Sequence, residues 1–415
     1  MSGEGVVSAF EKREVERYSR QLLVPEIGVA GHGRLAATSV LIVGCGGLGS
    51  PSALYLAGAG VGRLGLMDAD QVESSNLHRQ IMHTEGRAGI NKAESGAEAC
   101  RQLNPLVPVE VHRMFLTADN ALDIIKNYDI VLDASDNVAT RYLVNDACVM
   151  LGKPLVYGSA LRMEGQLTVY NYKGGPCYRC IFPTPPPIDT VTDCSDGGIV
   201  GPVVGVIGTL QAMEVIKVAC DHAADAVMSG RMLMYSAATC SFRNIRLRLR
   251  RPDCAICGDD AATRRASADS FVLQQEPATR GPTDACAATL GEDLPPAHRA
   301  SCSSYLEARA RSTLLIDVRD ATQFAICRLP EAVNFPLGTL EQQLDQVEEA
   351  CVHASAQEVF VVCRRGIFSH EATKMLLERS AKGFFMRRCD RRTLCSSLSL
   401  PLSLFLSLSL YVQIY

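Results

Sequence analysis

The run VLIVGCGGLGS, Val40 to Ser50, constrains this chain more than any other feature. Four apolar β-formers, a Gly-x-Gly-Gly-x-Gly turn and then small and apolar residues predict a buried strand, a tight turn and a helix start. Gly44, Gly46, Gly47 and Gly49 carry no side chains to keep phosphate oxygens away from backbone N–H groups. A second strand, RLGLMDAD, ends in Asp68, about 20 residues on, where a ribose-binding acid is expected. The pattern implies a nucleotide bound on an α/β sheet.

Alone, the glycine turn suits a nicotinamide-dependent oxidoreductase. The residues after Asp68 argue otherwise. Asp70, Asn76, Arg79 and Lys92 place two cations and an amide close behind the strand end. Hydride transfer needs no such cluster, but cleavage of a triphosphate does, because charge builds on the leaving pyrophosphate. Another strand, DIVLDASDN, ends at Asp136, well placed to hold Mg²⁺ against phosphates. Taken singly, each of these residues could be a solvated loop charge.

The rest of the first half alternates in the same way. VLIVG, RLGLMD, PVEVHRMF, DIVLDAS, PLVYGSA and QLTVYNY read as strands separated by helical stretches. This predicts a doubly wound, Rossmann-like α/β sheet. Residues 1 to 35 read as helical, VVGVIGTLQAMEVIKVAC as a buried helix, and MLMYSAATCSFRNIRLRLR as returning strands. RNIRLRLRR, Arg243 to Arg251, alternates Arg with Ile and Leu. It reads as a strand with one buried and one solvated face, or as a contact for an acidic partner or tRNA.

The chain has 415 residues, enough for two or three domains. Its net charge of −4 gives no basic field, so neither direct nucleic-acid binding nor a membrane role is expected. The 17 cysteines, an odd number, follow an N-terminus without a signal peptide, which predicts reduced thiols in the cytosol.

Four of those cysteines stand apart. Cys177 and Cys180 form one Cys-x-x-Cys pair, and Cys254 and Cys257 form another. Together they offer four thiolates to a closed, structural Zn²⁺ site that clips distant segments together. A redox dithiol or plain buried cysteines are the alternatives. Cys194, in TVTDCSDGG after a proline-rich run, is a lone thiol whose neighbours Asp193 and Asp196 tend to raise its pKa.

Residues 261 to 297 are polar, rich in Pro, Ala and Gly, and without periodicity, as in a mobile linker. A smaller module occupies 298 to 390. Within it EVFVVCRRGIFSHEATKMLLE reads as a buried strand, a loop opened by Cys363, then a helix. Loop N–H groups and a helix N-terminus around Cys363 suit a thiolate or persulfide, with Arg364 and Arg365 adding positive charge. A surface thiol is the bland alternative. From 391 to 415 the chain becomes a low-complexity Leu/Ser string. A CT-dinucleotide repeat encodes such a string, so intron read-through or a frameshift is expected there; a tail anchor fits poorly with so much serine.

RYSRQLLVPEIG, GCGGLGS, DADQVESSNLHRQ, SDN, GSALRMEGQLTVY, the two Cys-x-x-Cys pairs and TDCSDGGIVGPVVGVIGTLQAMEVIK, in that order, closely resemble MoeB/ThiF-type adenylyltransferases, relatives of ubiquitin-activating enzymes. The resemblance spans about residues 11 to 260, so the first domain is set at 1 to 260. SSYLEARARSTLLIDVRDATQFAICRLPEAVNFPL, with Asp317-Val318-Arg319, resembles a rhodanese domain. Together they resemble eukaryotic two-domain adenylyltransferases and sulfurtransferases.

That resemblance implies an ATP site of Gly44, Gly46, Gly47, Asp68, Ser75, Asn76, Leu77, His78, Arg79, Lys92, Asp136 and Asn137. It implies that Arg20 reaches into the partner's site in a homodimer, that Cys194 attacks the activated carrier, and that Cys363 carries sulfur. The implied substrate is the C-terminal glycine of a ubiquitin-like sulfur carrier ending in Gly-Gly. The implied sulfur source is of the cysteine desulfurase type, and the implied pathways are molybdopterin synthesis and tRNA thiolation. Ile367 and Phe368 depart from the small polar residues of the rhodanese loop. No Gly-Gly-x-x-x-Trp helix comes after Lys382, and the chain has no tryptophan. The smaller module is therefore expected to lack a core strand and helix, and its sulfur transfer to suffer. Two other readings stay open: a docking module that binds a ubiquitin-like protein without turnover, and the nicotinamide oxidoreductase.

Overall fold

The structure is a computed structural model and describes residues 10–186, 197–260, 294, 298–309, 312–356, 358–363, 366–379 and 385–390. These fall into two compact units, the first ending with Asp260 and the second holding Leu294 onward.

In the first unit, helices α1 (Lys12–Leu22) and α2 (Gly28–Ala37) precede strand β1 (Ser39–Val43). Next come α3 (Gly49–Ala59), β2 (Arg63–Met67), α4 (Lys92–Leu103), β3 (Val109–His112), α5 (Ala121–Ile125), β4 (Ile130–Asp133) and α6 (Val138–Met150). Strands β5 (Leu155–Leu161) and β6 (Glu164–Tyr170), helices α7 (Tyr178–Ile181) and α8 (Gly201–Ala219), and strands β7 (Arg231–Ser236) and β8 (Ser241–Arg246) complete it.

The eight strands lie in the order β3-β2-β1-β4-β5-β6-β7-β8. The first five are parallel, as expected for a doubly wound sheet, with Val40 opposite both Leu64 and Ile130. From β5 onward the pairing is antiparallel. Strands β1 and β4 are apolar and buried almost throughout, because helices cover both faces. One core layer joins Ile42, Leu56, Leu64 and Leu132 to Ile207 and Val215 of α8; the other joins Leu41, Tyr128 and Val131 to Tyr142 and Val144 of α6. The order reverses between β1 and β4, and such a switch point opens a crevice at the strands' C-terminal ends.

Local signals start and stop these helices. The Asn91 side chain accepts from the N–H groups of Ala93 and Glu94 and opens α4. Asn137 does the same for α6 through Thr140. Gly60, at φ +81°, ends α3 in the left-handed region.

The basic run at 243 to 251 departs from expectation. Neither face of β8 is buried: Phe242 and Ile245 are 52% and 50% exposed, and Leu249 beyond them 74%. This strand is the sheet edge, and among the described residues no helix covers it.

The second unit runs β9 (Arg299–Ser301), α9 (Cys302–Ala308), β10 (Thr313–Asp317), α10 (Ala321–Ile326), β11 (Ala332–Asn334), α11 (Leu337–Leu340), α12 (Leu344–His353), β12 (Glu358–Val362), α13 (Ile367–Arg379) and β13 (Phe385–Asp390). Its five strands are parallel in the order β11-β10-β12-β13-β9. The expected loss of a core strand is therefore overturned. Phe385–Asp390 fills the slot between β12 and β9, with Val359 opposite Met386 and Cys389 opposite Ala300. A ladder asks only for extended backbone with free N–H and C=O groups, and this run contains no proline. Leu294, within the stretch read as linker, is buried. The rest of that linker, Arg364, Arg365 and the Leu/Ser tail lie outside the described residues.

Candidate active site

The crevice above β1, β2 and β4 gathers most of the predicted residues. Gly44 leaves β1 at φ +98°, and a Cβ there would meet the Ala134 carbonyl oxygen at 2.7 Å. A Cβ on Gly47 would meet Val204 of α8 at 2.8 Å, and one on Gly49 would run into the carbonyl of Gly44. These three glycines are demanded by the protein's own packing. Gly46 is different, since a Cβ there would find only Gln80 Nε2, at 3.7 Å. A single explanation for all four, open approach to phosphate, therefore holds at Gly46 and gives way to close packing at the others.

Asp68 braces the turn. Its carboxylate accepts from the N–H groups of Cys45 (2.8 Å) and Asp70 (2.9 Å). Burial raises its pKa, against the pull of Lys92 and those N–H groups. Lys92 opens α4 with its side chain only 9% exposed, and its Nζ lies 2.8 Å from Asp70 Oδ2. Burial alone would lower the Lys92 pKa, but Asp68, Asp70 and Asp136 outweigh it and hold the ammonium charged. Asp136 itself is exposed, three residues beyond the end of β4. Cys45, fully buried, is inert: burial, then Asp68, pushes its thiol well up.

The SSNLHRQ turn forms the opposite wall. Asn76 is buried, donates to Glu73 (3.3 Å) and accepts from Arg79 Nη2 (2.7 Å). Ser75 also donates to Glu73, at 3.2 Å. Arg79 donates to His78 Nε2 at 2.8 Å, and burial, then Arg79, lowers the His78 pKa. Leu77 is half-buried between them. The turn is pressed against the start of α8, where a Cβ on Gly201 would strike the His78 carbonyl.

Asn137 is committed in part to capping α6, its Oδ1 accepting from Thr140 N–H at 2.8 Å. Arg20 stands exposed in the last turn of α1 and makes no hydrogen bond or ion pair to this crevice among the described residues. Cys194 lies outside the described residues. Residue-type reasoning missed Glu73, which ties Ser75 and Asn76 together. It also missed Gln80, buried beside Gly46 with its Oε1 unpartnered among the described residues. Only their places inside the DADQVESSNLHRQ run signalled either.

The two Cys-x-x-Cys pairs converge. All four sulfurs are buried and lie within 4.8 Å of one another. Cys177 Sγ is 3.8 Å from Cys180 and 3.7 Å from Cys254, and Cys180 is 3.4 Å from Cys257. Four thiolates at about 2.3 Å from one tetrahedral ion stand about 3.8 Å apart, so the cluster fits a metal. Before an ion binds, the four thiols share protons through their mutual hydrogen bonds, which raise the pKa of Cys177 and Cys257 and lower that of Cys180 and Cys254.

In the second unit Cys363 comes directly after β12 and faces the start of α13. Its sulfur accepts from the N–H groups of Gly366 (3.0 Å) and Ser369 (3.2 Å) and lies 3.4 Å from Ser369 Oγ. Arg319, held at both Nε and Nη2 by Asp317, donates to the Cys327 carbonyl at 2.6 Å. Of the donors expected around the Cys363 sulfur, the described residues supply the N–H groups of Gly366 and Ser369 at the start of α13.

Comparison with known proteins bears on both units. The ThiF family matches residues 18–256, and the Rhodanese-like domain family matches residues 303–388. Adenylyltransferase and sulfurtransferase MOCS3 of Aedes aegypti is 47% identical over 89% of this chain and 83% of that protein. The proteins of the same name from Mus musculus (48%, over 90% and 82%) and Dictyostelium discoideum (47%, over 89% and 91%) are similarly related. The chain belongs to this family of two-domain adenylyltransferases and sulfurtransferases. Solved structures share the first unit's fold. E. coli MccB with ATP superposes at a TM-score of 0.51, is 24% identical, and covers 58% of this chain and 74% of its own. MccB with AMPCPP and MccA gives 0.53 at 23% identity, over 59% and 75%. As a family member the chain is an α/β enzyme with an ATP-dependent adenylation unit and a rhodanese unit.

Proposed function

We propose that this chain adenylates the C-terminal glycine of a ubiquitin-like sulfur carrier ending in Gly-Gly, then converts it to a thiocarboxylate. The observation that carries this reading is one crevice holding Lys92, Arg79 and Asn76 on its walls and Asp68 and Asp136 at its strand ends.

The residues supply the chemistry. A carboxylate is a poor electrophile until one of its oxygens becomes a good leaving group. Here a carrier carboxylate oxygen attacks the α-phosphorus of ATP, the bond to the pyrophosphate oxygen breaks, and pyrophosphate departs with the electron pair. The N–H groups near Gly46 cradle phosphate oxygens. Arg79 and Lys92 meet the charge that builds on the leaving group. Asp68, already fixed by two N–H groups, is placed for the ribose. Asp136 would hold Mg²⁺, which supplies charge neutralisation between phosphates. Arg20 acts from the partner subunit of a homodimer.

Sulfur transfer is the second half. The terminal sulfur of a persulfide on Cys363, loaded by a donor of the cysteine desulfurase type, attacks the acyl carbon and AMP leaves, giving an acyl disulfide. A second thiolate then attacks the Cys363 sulfur, the S–S bond breaks, the thiocarboxylate leaves with the electron pair, and a disulfide remains on the enzyme. The two N–H groups at the Cys363 sulfur favour the anionic nucleophile. Cys194 engages the activated carrier. Zn²⁺ in the four-cysteine cluster is structural, since four thiolates leave it no open position. Sulfur carriage on a free thiol suits the cytosol, and Cys363 forms no disulfide among the described residues. Molybdopterin synthesis and tRNA thiolation are the pathways proposed.

ATP–pyrophosphate exchange with a Gly-Gly carrier tests the first half. Carrier-dependent exchange that disappears in Asp136→Ala is the expected result. No exchange from folded, metal-loaded protein would leave a docking module.

A further inference from the structure

Helix α6 begins beside Asp136 and ends on the cysteine cluster. One of its faces, at positions 142, 145, 146 and 149, lies against the CYRC segment. Tyr142 Oη donates to the Phe182 carbonyl at 3.0 Å, and the Arg179 guanidinium stacks over the Tyr142 ring at 4.6 Å. Asn145 Oδ1 accepts from the Tyr178 N–H at 2.8 Å. Asp146 receives Arg179 through both Nε (2.8 Å) and Nη2 (2.7 Å), with the two side chains only 2% and 3% exposed. Val149 and Met150 pack on the cysteines themselves. Arg179 lies between Cys177 and Cys180, so its backbone is held on both sides by residues of the cluster.

A buried ion pair is a poor source of stability, because desolvating two charges offsets their attraction, and an apolar pair of similar volume does as well. What an apolar pair lacks is direction. A two-point Arg–carboxylate contact fixes an angle as well as a distance. We propose that the Arg179–Asp146 pair is a positioning device for the nucleotide site: the cysteine cluster orients α6, and α6 orients Asp136. This rests on the reading of Asp136 as the residue that holds Mg²⁺ against phosphates.

The lever is long enough to matter. Asp146 lies nine residues beyond the cap Asn137, about 14 Å along a helix at 1.5 Å per residue. A tilt of about 5° at Asp146 moves the Asp136 end by about 1 Å, and misplacement of that size can cost about 100-fold in rate.

The test uses the full chain and two variants. Asp146→Leu/Arg179→Met replaces the pair with apolar residues and is chosen to keep the fold. Arg179→Lys keeps the charge and loses the fork. Bound zinc, melting temperature, ATP binding across a Mg²⁺ titration, and KM and kcat for exchange are measured. Zinc content should stay at the wild-type level, while the Mg²⁺ needed for half-maximal ATP binding rises about tenfold in the double variant and less in Arg179→Lys. A merely structural pair would lower the melting temperature without moving the Mg²⁺ dependence. A folded, zinc-loaded double variant with wild-type Mg²⁺ dependence overturns the inference. If the double variant does not fold, unchanged dependence in Arg179→Lys overturns it. An Asp136→Ala protein that keeps the wild-type Mg²⁺ dependence of ATP binding removes the underlying reading instead, and that failure shows before any α6 variant is made.

Discussion

Lys92 shows how single residues set this site. It is buried yet charged, because three carboxylates outweigh the cost of taking it out of water. Lys92→Met should leave the fold standing, since its partner Asp70 is 41% exposed and can hydrate. Exchange should fall about 100- to 1000-fold through loss of a preorganised cation; steady-state exchange at saturating ATP reads this, and a loss under threefold would count against Lys92. His83 sits below the same crevice, donating from Nε2 to the Cys45 carbonyl and accepting from Ser95. Burial, above all, lowers its pKa from 6.5. Below pH 6.5 the unfolded chain therefore takes up a proton that the folded chain resists, and stability is lost as pH falls from that value towards the folded pKa. Urea midpoints at pH 7.5 and 6.0 should show a steeper fall in wild type than in His83→Asn; equal slopes would place the pH dependence elsewhere.

At the scale of elements, the turn after β1 and the cysteine clip fix the geometry. Gly44→Ala places a Cβ against the Ala134 carbonyl at a backbone angle that favours glycine. It should cost about 1–3 kcal/mol in strain and blunt nucleotide binding; thermal melts with and without ATP separate the two effects. Stripping metal with a chelator at neutral pH should lower the melting temperature and slow no thiol chemistry at Cys363, since the clip ties CYRC to CAIC within the first unit only. Calorimetry of treated and reloaded protein measures this, and an unchanged melt would mean the four sulfurs hold no structural ion. The strand and helix order was legible because apolar runs, glycine turns and asparagine caps each act over a few residues. The bare flanks of β8 were not, because alternation of Arg with Ile and Leu is the same whether or not a helix lies over it.

For the whole molecule, the two units divide the chemistry. Cys363→Ala should leave carrier-dependent exchange at wild-type rate and abolish thiocarboxylate formation, as read by mass spectrometry of the carrier. Loss of exchange as well would tie the two halves together more closely than this division allows. Strand β13 supplies the sheet position that the altered C-terminal sequence was expected to leave empty, so the donors around Cys363 rest on a five-stranded sheet.

The sequence by itself determined the nucleotide turn, the acids at two strand ends, the paired cysteines and the rhodanese cysteine, because each is a short pattern whose chemistry needs those residue types at that spacing. Only the tertiary structure decided that Gly44, Gly47 and Gly49 answer to their neighbours while Gly46 leaves room for a side chain, that Gln80 lies buried beside it, and that α6 runs from Asp136 to the cysteine cluster. Those facts depend on which distant segments meet, and spacing along one chain does not record contacts made across a fold.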